Sequence, residues 1–180
     1  MQTDADIKIA GDKPSRDVKR NRALAENGSV DKLSADNARK WGRAVAMKFI
    51  ADAKENENAE RVNNLEMIIQ RRMLLSFTAT VGFEQLSPND TLSGIAQKSF
   101  LDTVKRCDGE LYRTSGDTGA FSFYYLAFRR GGDTERRIGQ TFAMLCSHDG
   151  DPIYQELGEA LYCWFLSVVK QTGKENNIYE

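Results

Sequence analysis

The chain has 180 residues, with 25 Lys and Arg against 26 Asp and Glu, for a formal net charge of −1. Charged residues make up 28% and hydrophobic ones 41%, which excludes a disordered polymer and suits one domain with an appended arm. The three prolines are too few for a β-sandwich, and the three cysteines are odd in number for a disulfide framework.

Cys107, Cys146 and Cys163 therefore read as small buried hydrophobes in a reducing compartment. The N-terminus is acidic and lacks the apolar core of a secretory signal. The longest apolar stretch, 160–169, falls well short of the roughly 20 residues a membrane span needs. A cytoplasmic protein with no membrane contact is expected.

Residues 1–33 read as a polar, basic N-terminal arm, with a short helix over 14–27 stopped by Gly28. Residues 34–180 read as a single helical-bundle domain. Its first stripe is Ala38, Trp41, Val45, Phe49 and Ala53 at spacings of three and four, with Ser34 or Asp36 as N-cap. The polar stretch Glu55-Asn56-Glu57-Asn58 predicts a break, because Asn prefers caps and turns to helix interiors. One continuous helix to residue 85 is the alternative.

The next helix, over 58–84, carries Val62, Leu65, Ile69, Met73 and Phe77, widened by Ile68, Leu74 and Leu75. Ser87 as N-cap with Pro88 at the first helical position predicts a restart. Leu92, Ala96, Ser99, Thr103 and Cys107 line that helix, which Gly109 closes. Lys98, Asp102 and Arg106 stand four apart on its wet side. Residues 110–132 read as a helix ended by Gly131-Gly132. A hairpin, with Phe121, Phe123 and Tyr125 alternating in a strand, is the alternative, so any small β element is confined to 110–130.

Asp133 caps a helix carrying Ile138, Phe142 and Leu145 and ending near Gly150. Asp151-Pro152 starts the last one, with Ile153, Leu157, Leu161, Trp164 and Val168 on one stripe. A second stripe, Tyr154, Tyr162, Phe165 and Val169, makes its later half apolar nearly all round. Such a helix is central to a bundle or lies in an oligomer interface, so Tyr162, Trp164 and Phe165 are candidate core or interface residues. The expected fold is an all-α, antiparallel bundle of about five to seven helices.

Few residues suggest chemistry. His148 is the single histidine. Cys146-Ser147-His148-Asp149 sets a thiol near an imidazole, but residues two apart on a helix point in nearly opposite directions. No cysteine pair has zinc-ligand spacing, and no Glu-x-x-His occurs beside Glu156 and Glu159. Ser115-Gly116-Asp117-Thr118-Gly119 lacks the endings of phosphate-binding loops. No catalytic, metal or cofactor-binding residue is assigned, and no cofactor is expected.

Charge is distributed unevenly. Residues 13–48 hold ten basic residues against four acidic ones, while 49–180 hold 14 basic and 19 acidic. Arg16, Lys19, Arg20, Arg22, Arg39 and Arg43 are thus candidate anion or nucleic-acid contacts. The doublets Arg71-Arg72, Arg129-Arg130 and Arg136-Arg137 are weaker anion candidates. The leading expectation is a non-enzymatic protein–protein interaction domain that self-associates as a homo-oligomer. A nucleic-acid-associated protein using the basic N-terminal segment is the alternative. An enzyme whose site is not readable from the sequence stands third.

Overall fold

The Asp31 carboxylate accepts the main-chain N–H of Ser34 at 2.9 Å and its hydroxyl at 2.7 Å, and the first of the described helices starts behind it. Those bonds, the Ser34 hydroxyl's foremost, hold the Asp31 carboxyl below its ordinary range. The cap is thus Asp31, earlier than the Ser34 or Asp36 read from the sequence. A computed structural model describes residues 31–60, 65–116 and 118–179. The expected helix over 14–27, and Arg16, Lys19, Arg20 and Arg22 with it, lie outside the described residues, as does Val62.

Seven helices occur among the described residues: α1 (Lys32–Glu60), α2 (Leu65–Leu86), α3 (Asp90–Cys107), α4 (Gly109–Thr114), α5 (Thr118–Arg129), α6 (Thr134–Leu145) and α7 (Pro152–Glu175). No strand is found among those residues. The fold is an all-α bundle.

α2 is its axis. Every residue from Met73 to Phe83 is buried, and α2 touches each of the other described helices. A helix with no wet face must satisfy its polar side chains internally. Thr78 does so by donating to the Leu74 carbonyl at 2.7 Å, and Thr80 by donating to that of Ser76 at 3.2 Å. The two ends of the stripe differ: Met73 and Phe77 are buried, whereas Leu65 is 72% exposed.

Several boundaries correct the sequence reading. α1 runs through the Glu55–Asn58 stretch to Glu60, so no break falls there. Asn56 fits because its amide donates to the Asp52 carbonyl one turn back, at 2.9 Å. α3 starts at Asp90, capped by Asn89, whose side chain accepts the Leu92 N–H at 2.9 Å. Ser87 instead donates to the Asn89 carbonyl, which shapes the turn before the cap. Gly109 does not close α3. Asp108 ends that helix and caps α4, of which Gly109 is the first residue.

The hairpin alternative also falls. Residues 109–114 and 118–129 are helical because Phe121, Tyr124, Tyr125 and Phe128 share a helical face. All four ring centroids lie between 5.2 and 6.2 Å from that of Phe77. Phe123, the middle member of the supposed strand, is 49% exposed. The expected terminator is present, with Gly131 and Gly132 at φ +66 and +72. α6 is capped by Asp133 as read, but ends at Leu145 rather than near Gly150.

Two helix pairs approach closely where side chains vanish. A Cβ on Gly42 would stand 2.1 Å from the Ala96 carbonyl oxygen in α3, and one on Gly139 would stand 2.3 Å from that of Gln155 in α7. Ser99 adds a bond across the first crossing, its hydroxyl donating to the Arg39 carbonyl at 2.7 Å.

Candidate functional site

α7 begins as its sequence directs: the Asp151 carboxylate accepts the Ile153 N–H at 2.9 Å, and Pro152 takes the first turn. Gly158, Leu161, Tyr162, Phe165, Val169 and Thr172 form its buried face. Tyr162 and Phe165 are core residues, at 3% and 0% exposure. Phe165 packs 6.3 Å from the Phe49 ring, and burial foremost pushes the Tyr162 hydroxyl up to about 12.

A stripe flanking that face is apolar too. Ile153 is 73% exposed and Trp164 44%, with Leu157 and Val168 partly covered and Ala160 open between them. These residues recur at steps of three and four, so they share one stripe. The centre of the bundle belongs to α2. Trp164 is 44% exposed, and among the described residues its one aromatic contact is its neighbour Phe165, at 5.5 Å.

A second surface lies between α1 and α3. Arg39 and Arg43 open on a groove of about 390 Å³ that also takes Lys98 and Arg106, with Ser99, Asp102 and Thr103 between them. Arg39 is held by Asp36 at 2.6 Å. Lys98 and Arg106 are joined to Arg39 and Arg43 by the close α1–α3 crossing rather than by sequence. Their spacing around Asp102 had suggested only helix support.

The arginine doublets have mixed roles. Arg71 pairs with Asp52 at 2.8 Å, tying α2 to α1 at a largely buried site. Arg129 lies over the Tyr125 ring, and Arg137 donates to the Gly131 carbonyl. Arg130 and Arg137 border a depression that contains Phe123, Leu126 and Met144.

The thiol–imidazole turn has no nucleophilic geometry. Burial first, and Glu66 second, push the buried Cys146 thiol up to about 12, so little thiolate forms near neutrality. His148 stacks flat on Tyr154 at 3.8 Å, with Nδ1 facing the Asp151 carboxylate at the same distance. Cys107 is exposed and Cys163 partly so, contrary to the reading of all three as buried hydrophobes. Among the described residues, no three His, Cys, Asp or Glu side chains gather as a metal site would require. No helix there is long and apolar enough to cross a membrane.

Sequence reasoning missed one feature. A cleft of about 550 Å³ between α2, α3, α4 and α5 is floored by Ser76, Thr80 and Ser115 and walled by Tyr112, Phe121 and Tyr125. Its parts come from four segments, so no local pattern announces it. Comparison of the chain with protein-family models, with curated proteins and with solved structures finds no match.

Proposed function

We propose that this chain is a non-enzymatic helical protein–protein interaction domain that self-associates through the outward face of α7. One observation supports the reading: beside its buried face α7 carries a second apolar stripe, and the core leaves Ile153 and Trp164 of it exposed. Isolated exposed hydrophobes are ordinary, but a stripe running from Ile153 to Val168 on one helix is a contact surface. Its 24 residues span about 36 Å at 1.5 Å per residue, long enough to lie along a symmetry-related copy. Burying the Trp164 and Ile153 side chains against that copy would release apolar surface at about 25 cal/mol per Å².

Sedimentation equilibrium over a concentration series tests this. The wild type should sediment as a dimer, and Ile153→Glu with Trp164→Glu as a monomer of unchanged helicity. A monomeric wild type throughout the series would remove the proposal.

The second reading is nucleic-acid association through the basic N-terminal segment. It is favoured by the exposure of Arg39 and Arg43 on a shared groove. Its test is duplex binding by a chain with Arg16, Lys19, Arg20 and Arg22 changed to Ala.

A further inference from the structure

The groove between α1 and α3 holds four cationic side chains, Arg39, Arg43, Lys98 and Arg106, and one carboxylate, Asp102. Arg39 is neutralised by Asp36, but no carboxylate of the described residues reaches ion-pair distance of Arg43, Lys98 or Arg106. Asp102 itself closes on none of them, although it lies one turn from both Lys98 and Arg106. Clustered like charges raise the local potential, and in a groove that potential is concentrated. The two cationic rows are fixed in spacing because Gly42 seats α1 directly on the Ala96 backbone.

Among the described residues the groove contains no aromatic ring, and Ile95 is its one apolar side chain. It therefore offers neither a stacking platform for bases nor a pocket for a greasy ligand. What it offers is charge and guanidinium donors, which suit the oxygens of a phosphate.

We propose that the α1–α3 groove is a phosphate-binding site, with Arg43, Lys98 and Arg106 as the charge partners. The phosphate belongs either to a nucleic-acid backbone or to a small phosphorylated molecule. The proposal deepens the nucleic-acid reading but assigns the contacts to the folded bundle, so the two can fail separately.

The full chain is titrated with a labelled short DNA duplex over a salt series, and with inorganic phosphate while amide shifts are followed. A groove variant carries Lys98→Gln and Arg106→Gln, both exposed and without an ion-pair partner among the described residues, so its helicity should match the wild type. An arm variant carries Arg16, Lys19, Arg20 and Arg22 changed to Ala. The expected result is duplex binding whose logarithmic salt slope becomes shallower by roughly 2 in the groove variant. Phosphate shifting the Lys98 and Arg106 amides without any duplex binding also upholds the site, and assigns it to a small phosphorylated molecule. Duplex binding lost in the arm variant and unchanged in the groove variant overturns it while sustaining the N-terminal reading. Poly-glutamate competing as well as duplex overturns it, as does the absence of any response to duplex and phosphate at low salt.

Discussion

The indole N–H of Trp41 in α1 donates to the main-chain carbonyl of Val169 in α7 at 2.9 Å, a buried bond between residues 128 positions apart. Trp41 is fully buried and meets the Phe83 ring edge-on at 4.8 Å, so one side chain joins α1, α2 and α7. Trp41→Ala should lower stability by about 3–5 kcal/mol, the usual cost of truncating a large core aromatic. Trp41→Phe keeps most of the volume and loses the donor, a deficit of about 0.5–1.5 kcal/mol from the hydrogen bond alone. Urea midpoints with a common slope measure both, and a Trp41→Phe chain as stable as the wild type would mean the bond contributes nothing beyond packing.

Two glycines should respond in opposite directions to the same substitution. Gly42→Ala brings a Cβ to 2.1 Å from the Ala96 carbonyl oxygen, and backbone cannot step aside without prising α1 from α3. Gly94 lies exposed in α3, and a Cβ there meets nothing within 4 Å. Gly94→Ala should therefore stabilise by about 0.5–1 kcal/mol, the intrinsic helix preference for alanine. Gly42→Ala gains the same preference and should still be strongly destabilising. Thermal melts of the pair check the contrast, and a neutral Gly42→Ala would mean that α1 does not rest on the Ala96 backbone.

Much of the bundle was legible because its helices announce themselves by period. The stripe Ala38, Trp41, Val45, Phe49 and Ala53 is buried throughout, and the Asp133 and Asp151-Pro152 starts hold. Errors arose where a side chain had two uses. Asn56 satisfies itself inside a helix instead of ending one, and Ser87 bonds the turn ahead of the Asn89 cap. For α7, periodicity revealed two apolar stripes but not which one faces inward. That depended on Gly158 admitting Phe142, whose Cβ would lie 2.5 Å from any Cβ at that position. The groove was half legible: Arg39 and Arg43 stood out by local charge, whereas Lys98 and Arg106 join them only through tertiary contact. The cleft floored by Ser76 and Thr80 was not legible at all, since α2 there reads simply as core.

Alkaline pH should destabilise the domain before any one group accounts for it. Burial is the largest cause pushing the Tyr125 and Tyr162 hydroxyls from 10.0 to about 12 and the Cys146 thiol from 9.0 to about 12. Each is neutral when protonated, so the unfolded chain releases its proton at a lower pH than the folded one. Their contribution is therefore full below about 9 and is lost progressively as pH rises towards 12. Tyr125 donates to Glu84 at 3.0 Å, which adds to its shift, and Tyr125→Phe should flatten part of the decline. The observable is the urea midpoint across that range. A midpoint that does not fall would mean these groups ionise as freely in the fold as outside it.

Thiol labelling should proceed in a fixed order, and that order bears on whether the Cys146–His148 turn can do chemistry. Thiolate is the reactive species, so raising a thiol from 9.0 to about 12 lowers its reactive fraction near neutrality roughly a thousandfold. Cys146 is also 1% exposed, so reagent must wait for the fold to open. Cys163 is only partly covered, but burial and Glu135 push its thiol to about 11. Cys107 is exposed near the end of α3. With an excess of a small alkylating reagent at neutral pH, Cys107 should be modified first and Cys163 slowly. Cys146 should be modified only at the rate of unfolding. Cys107→Ser should abolish the fast phase and leave the slowest untouched, while urea should accelerate the slowest selectively. Mass spectrometry of the labelled peptides resolves the three sites. Fast modification of Cys146 in the native chain would mean that its thiol is open and ionised beside His148, and would bring the enzyme reading forward again.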